Sequence, residues 1–190
     1  MIASLVGEFA SPEGGTLLAL PKVPSAALII LANWNAFAFD YLARQKVGGT
    51  HLKYFTLRQL PMISEEVVRQ PVPWFSNSSV GDWISGRAAR LVRTATDMRE
   101  VGQGPIAWGA EQRPCLRAEI DAAMFHLYGI ERDDVDYIME TFPIVKRKDI
   151  SAHGEYRTKR MILEIYDEMS EAIDNGTTYV SPFDEEISGE

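Results

Sequence analysis

The chain has 190 residues, 46% of them apolar, with 27 acidic against 19 basic side chains and one cysteine. That length supports one sizeable core with appendages, and the single Cys115 excludes an internal disulfide or a multi-cysteine zinc site. No apolar run approaches a membrane span, since the longest, residues 26–32, is followed by Asn33 and Asn35, and no basic-flanked leader follows Met1; the expected compartment is the cytoplasm, with no membrane partner. The formal charge of -8 is unevenly spread: residues 161–190 carry nine acids and no Lys or Arg, which leaves residues 1–160 at a formal +1.

Residues 1–23 read as an irregular segment in which Leu17 to Leu20 suggest an edge strand or a remnant of a structure begun upstream. From Pro24 and Ser25 the apolar residues Leu28, Leu31, Ala32, Phe39 and Leu42 recur at helical spacing, which predicts one helix to about Gln45. Gly48 and Gly49 end it, and paired glycines permit positive φ and close backbone approach to another surface. Leu52 to Leu57 reads as a short strand or extended stretch, and Pro61 to Ser79, with Trp74 and Phe75, as a packed loop. A second helix runs from Ser78 or Ser79 to about Arg99, with Trp83, Ile84, Ala88, Leu91, Val92 and Ala95 inward, until Gly102 to Pro105 stop it. A third begins at Pro114 and ends at Tyr128-Gly129; a shorter fourth opens at Asp133 or Asp134 and is closed by Pro143. The last, about Glu155 to Ile173, carries the stripe Met161, Ile162, Ile165, Tyr166 and Met169. The expected organisation is an irregular 1–23, a helix-rich domain over 24–175, and an acidic disordered tail over 176–190. The fold class is mainly α with a small β element, a helical scaffold beside a helix–glycine turn–strand unit.

Two basic regions carry the chemistry. Residues 41–60 hold Arg44, Lys46, Lys53 and Arg58 with no acid, interleaved with Tyr41, His51, Tyr54 and Phe55. A glycine bend flanked by cations and rings can bring backbone amides to a phosphate and lay rings on bases or sugars; it can equally be a tight turn whose aromatics are core. The second region, residues 146–160, places Lys146, Arg147, Lys148, Arg157, Lys159 and Arg160 against Asp149 and Glu155, a local +4. Such a cluster neutralises phosphates, or pairs with the acidic tail or a neighbouring domain. Asp133, Asp134 and Asp136 suit the first turn of a helix better than carboxylate catalysis. His51, His126 and His153 show no metal-ligand spacing, and Gly102-Gln103-Gly104 follows a helix, as a dinucleotide loop does not.

With these residues in view, the stretch from Asn35 to Phe55, running into Gln59-Leu60-Pro61, resembles a block in the C-terminal part of type II single-chain adenine DNA methylases of restriction–modification systems. So does a second block: Leu116 to Ala123, Phe125 to Gly129, Asp133 to Ile138, Thr141 to Val145, Gly154 to Arg160 and Ile165 to Asp167. The likeness covers roughly residues 25 to 170. In that family the region lies downstream of the methyltransferase core, beside or within the part that recognises the DNA target. The resemblance implies a role facing duplex DNA, or docking on the catalytic domain, for Arg44, Lys46, Gly48, Gly49, Thr50, Lys53 and Tyr54, and a scaffold role for the second block.

The sequence departs from the family where the chemistry would be. It has no Pro-Pro pair and so no Asn/Asp-Pro-Pro-aromatic grip on a flipped adenine, no strand-then-glycine loop for S-adenosylmethionine, and no Asp/Glu-x-Lys nuclease core. The expectation is a non-catalytic recognition or scaffold portion of a methylase, made as a fragment or truncated product, with S-adenosylmethionine confined to the missing catalytic part. The alternative is a docking module that packs on the core without touching DNA, a reading suggested by the acidic balance and by Trp34, Trp74, Trp83 and Trp108.

Overall fold

The computed structural model describes residues 3–6, 19–23, 26–49, 52–76, 78–94 and 105–182. The expected edge strand at Leu17 to Leu20 and the stretch from Ala95 to Gly104 fall largely outside them. The described residues form helices α1 (Ala26–Asn35), α2 (Phe37–Lys46), α3 (Tyr54–Leu57), α4 (Glu65–Arg69), α5 (Val80–Val92), α6 (Gln112–Leu127), α7 (Arg132–Glu140), α8 (Pro143–His153) and α9 (Arg157–Asn175). Among them there is no strand, only an isolated antiparallel bridge between Pro71 and Ser79. The mainly α class holds; where a strand was expected at Leu52 to Leu57, a single helical turn stands instead.

The organising element is α6. Nine consecutive-face residues from Leu116 to Phe125, among them Glu119 and Asp121, are buried, as befits a helix surrounded on most sides. Helices α5 and α9 pack on it, α1 lies on α5, and α7 and α8 lean on α9. The core gathers Trp74, Trp83, Ile84, Met124, Phe125, Met139, Ile162 and Met169. His126 links its aromatic part, stacked on Tyr166 at 3.9 Å and tilted against Trp74 at 5.6 Å.

The single helix predicted to Gln45 is two, bent by 67° between α1 and α2. Polar side chains explain the break. Asn33 is fully buried, donating to the Tyr128 hydroxyl at 2.8 Å and accepting from the Ile63 amide at 3.2 Å. Asn35 donates to the carbonyls of Leu31 and Ala3. Ala36 is then extended, and the freed amide of Phe37 donates to Asp121 Oδ1 on α6 at 2.8 Å, an N-terminal cap supplied from 84 residues away. No single helix among the described residues is long and apolar enough to cross a membrane.

Other boundaries follow local chemistry. Ser79 caps α5, accepting from the Asp82 amide. Gly129 and Gly176, expected as terminators, adopt positive φ, and Ile130 and Thr177 return hydrogen bonds to Phe125 and Ala172 carbonyls five residues back. Pro143, read as a stop, is also the first residue of α8. Helix α8 has no buried residue, so it carries no apolar periodicity from which it could be read. The tail expected to be disordered from residue 176 departs from that reading as far as 182. Tyr179 and Ser181 are buried, the Tyr179 amide donates to the Trp74 carbonyl, and both hydroxyls donate to Glu119 Oε1.

Candidate functional site: two basic surfaces and a cleft

The glycine bend rests on a small apolar cluster of its own. Phe39 and Ala43 of α2 and Leu60 are buried, with Trp34, Leu52 and Leu57 packed against them. The extended residues around Lys53 and the single turn of α3 turn Leu52 and Leu57 toward this cluster. The polar and aromatic residues between them stay outside. Tyr54 and Phe55 are 50% and 63% exposed, and Lys46, Gly48, Gly49, Lys53 and Arg58 are exposed as well. Thr50 and His51 lie outside the described residues. Lys46, Lys53 and Arg58 make no ion pair among the described residues, so three of the four cations face solvent uncompensated. Arg44 is engaged: it pairs with Asp40 at 3.0 Å, and its guanidinium lies 4.6 Å from the centroid of the Phe142 ring.

The paired glycines do not serve the steric purpose expected within the fold. Neither adopts positive φ, and a Cβ on either would meet nothing within 4 Å. Close backbone approach occurs instead at Gly81, where a Cβ would stand 2.8 Å from Val68 Cγ1, at the crossing of α4 and α5. The bend is open; its glycines leave the backbone bare on the outside.

The second basic region is mostly spoken for. Lys146 pairs with Glu140 at 2.6 Å, Lys159 with Asp136 at 2.9 Å and Glu140 at 2.6 Å, and Arg160 with Glu155 at 3.0 Å and Glu164 at 2.8 Å. Arg157 pairs with Glu111, ahead of α6. These bonds staple α7, α8 and α9, and hydrogen bonds from Lys146 and Lys159 hold the Glu140 carboxyl below its ordinary pKa. The local +4 counted along the chain is therefore no free basic field. Acids from α7, α9 and the approach to α6 answer it, which a linear count does not register. Of the six cations, Arg147 and Lys148 stay exposed without an ion pair among the described residues.

Sequence reasoning missed a third feature. Lys148, His153 and Arg157 share a cleft of about 390 Å³ with Arg113 and Arg117 of α6. The signal available in the sequence was two arginines four residues apart at the start of a helix, which share one face. Among the described residues no three His, Cys, Asp or Glu side chains gather as a metal site requires. Cys115 is partly buried and its thiol is pushed up to about 12 by burial, with the Glu119 charge adding to it, so the thiolate is suppressed at neutral pH.

Of the four tryptophans offered as a docking surface, two belong to the interior. Trp74 and Trp83 are fully buried in an edge-to-face pair 5.5 Å apart, and Trp34 and Trp108 are partly buried. Exposed apolar side chains lie elsewhere, at Tyr137 on α7 and at Ile144 and Ile150 on α8. The sequence matches no protein-family model, no curated protein and no solved structure.

Proposed function

We propose that this chain is a non-catalytic DNA-recognition and scaffold portion of a restriction–modification adenine methylase. In this reading it assists a separate S-adenosylmethionine-dependent catalytic domain in holding duplex DNA. The observation that carries it is the bend. Three cations without an ion pair among the described residues (Lys46, Lys53 and Arg58), two exposed rings and bare glycine backbone lie on the outside of a small apolar cluster, with no acid between residues 41 and 60. Cations of this kind take up backbone phosphates, and bare amides and rings add register on the duplex. The resemblance of this same stretch to the methylase block supplies the partner.

Labelled duplex DNA titrated at roughly 50 and 200 mM salt tests the reading. Lys46→Ala/Lys53→Ala lowers the slope of log affinity against log salt by about 2, since each lost phosphate contact removes about 0.9. An unchanged slope and affinity reject the bend as a DNA contact.

A second reading is favoured by a different surface. The cations of residues 146–160 are largely neutralised, and Tyr137 on α7 and Ile144 and Ile150 on α8 are exposed. That face suits docking on the methyltransferase core better than contact with a polyanion. Pull-down of the core by this chain without DNA, lost in Tyr137→Ser/Ile144→Ser, supports docking as the role of this half.

A further inference from the structure

The cleft between α2, α6, α8 and α9 is lined by more positive charge than the described residues answer. Arg113 and Arg117 stand one helical turn apart on α6, an arrangement that is unfavourable without a counter-charge. Arg113 is held in place by a bond from Nη1 to the Leu91 carbonyl at 2.9 Å and by the Trp108 ring 5.5 Å away. Arg117 and Lys148 make no ion pair or hydrogen bond among the described residues. Of the two acids of the cleft, Asp121 accepts from the Phe37 amide at 2.8 Å and feels the charge of Arg117 without pairing with it, and Asp149 accepts from the Thr158 amide at 2.6 Å. Burial and the charge of Arg117 both hold Arg113 below the ordinary guanidinium pKa, the response of a cation short of a partner. Beside these charges the wall is apolar, with Phe37, Val145 and Met161.

We infer that this cleft binds a phosphate monoester carried on a small ring-bearing body, with Arg117 and Lys148 taking the phosphate and Phe37 and Met161 the body. Two cations match the two charges of a monoester, and the planar fork of arginine donates to two of its oxygens at once. About 390 Å³ accommodates a ligand of mononucleotide size rather than a duplex. The site is separate from the glycine bend and does not depend on the DNA reading.

Calorimetric titration of the full chain with adenosine 5′-monophosphate, inorganic phosphate, adenosine and a blunt unphosphorylated duplex tests it. The monophosphate binds, inorganic phosphate binds more weakly and adenosine more weakly still. Arg117→Gln and Lys148→Gln, which remove side chains that make no hydrogen bond or ion pair among the described residues, each weaken the monophosphate at least about ten-fold, as loss of a charge-assisted hydrogen bond does. Arg160→Gln, outside the cleft, leaves it unchanged. Absence of monophosphate binding at millimolar concentration, or binding indifferent to both cleft variants, overturns the assignment. So does loss of duplex binding in those variants with no monophosphate binding in the wild type, which would make the cleft a DNA-backbone contact.

Discussion

Arg87 and Glu119 form an ion pair in the centre of the molecule, 2% and 0% exposed, with Nε to Oε2 at 2.7 Å. The guanidinium also lies 3.6 Å from the Trp83 ring centroid, while Glu119 Oε1 accepts from Tyr179 and Ser181. Replacing Arg87 by Met keeps the apolar stem and the contact with Trp83 but strands a buried carboxylate with two hydroxyl donors. Breaking such a pair from one side costs about 3–5 kcal/mol, a large share of the roughly 5–15 kcal/mol that holds a domain together. Adding Glu119→Gln then removes the stranded charge and keeps an oxygen for Tyr179 and Ser181. Arg87→Met/Glu119→Gln is therefore expected to be more stable than Arg87→Met by about 2 kcal/mol, a second substitution that rescues the first. Urea unfolding followed by fluorescence of the buried Trp74 and Trp83 measures each variant. If Arg87→Met costs under about 1 kcal/mol, or if the second change brings no recovery, the pair is not the partner on which the buried carboxylate depends.

Three further outcomes are expected. Burial lifts the Asp121 carboxyl to about 7, against the pull of the Phe37 amide and Arg117, so the folded state holds a proton that the unfolded chain has lost; this contribution to stability is full at low pH and falls as pH rises from about 4 to about 7, by on the order of 4 kcal/mol. Asp121→Asn keeps an acceptor for Phe37 and removes this slope, read as the difference in urea midpoint between the two proteins from pH 4.5 to 8; parallel curves would refute it. Gly81→Ala forces a methyl group against Val68 and lowers stability by about 1–3 kcal/mol, whereas Gly48→Ala and Gly49→Ala are neutral or stabilising by up to about 1 kcal/mol in thermal melts. Lys159→Met costs about 1 kcal/mol through loss of its bonds to Asp136 and Glu140, yet leaves the salt slope of DNA titrations unchanged.

What the sequence made legible is what neighbours along the chain decide. The stripe on α9 from Met161 to Met169, the terminators Gly129 and Gly176, the Ser79 cap and the inward Trp83, Ile84 and Ala88 all depend on local spacing, and all are found. The break after α1 was not legible, because the amide of Phe37 is capped by a residue 84 positions away and no local pattern encodes that. Leu52 to Leu57 alternates enough to suggest a strand, but a lone strand would leave its amides without a partner, and one helical turn satisfies them while tucking both leucines onto Phe39. The basic run from Lys146 to Arg160 looked free because its counter-charges Glu111, Asp136 and Glu140 come from other elements, and Glu164 lies one helical turn past the end of the run. The cleft was invisible for the same reason: Lys148 and Arg117 belong to different helices and line one cleft only once α6 and α8 both pack on α9.

The C-terminal segment that reaches back to Glu119 also sets an order of events during synthesis. The hydroxyl of Tyr179 that Glu119 accepts lies 60 residues further along the chain. At about 5–20 residues per second, the ribosome takes about 3–12 s to make that interval. Until Tyr179 is made the Glu119 carboxylate lacks this donor, so the contact can form only after the whole of α6 to α9 has been synthesised.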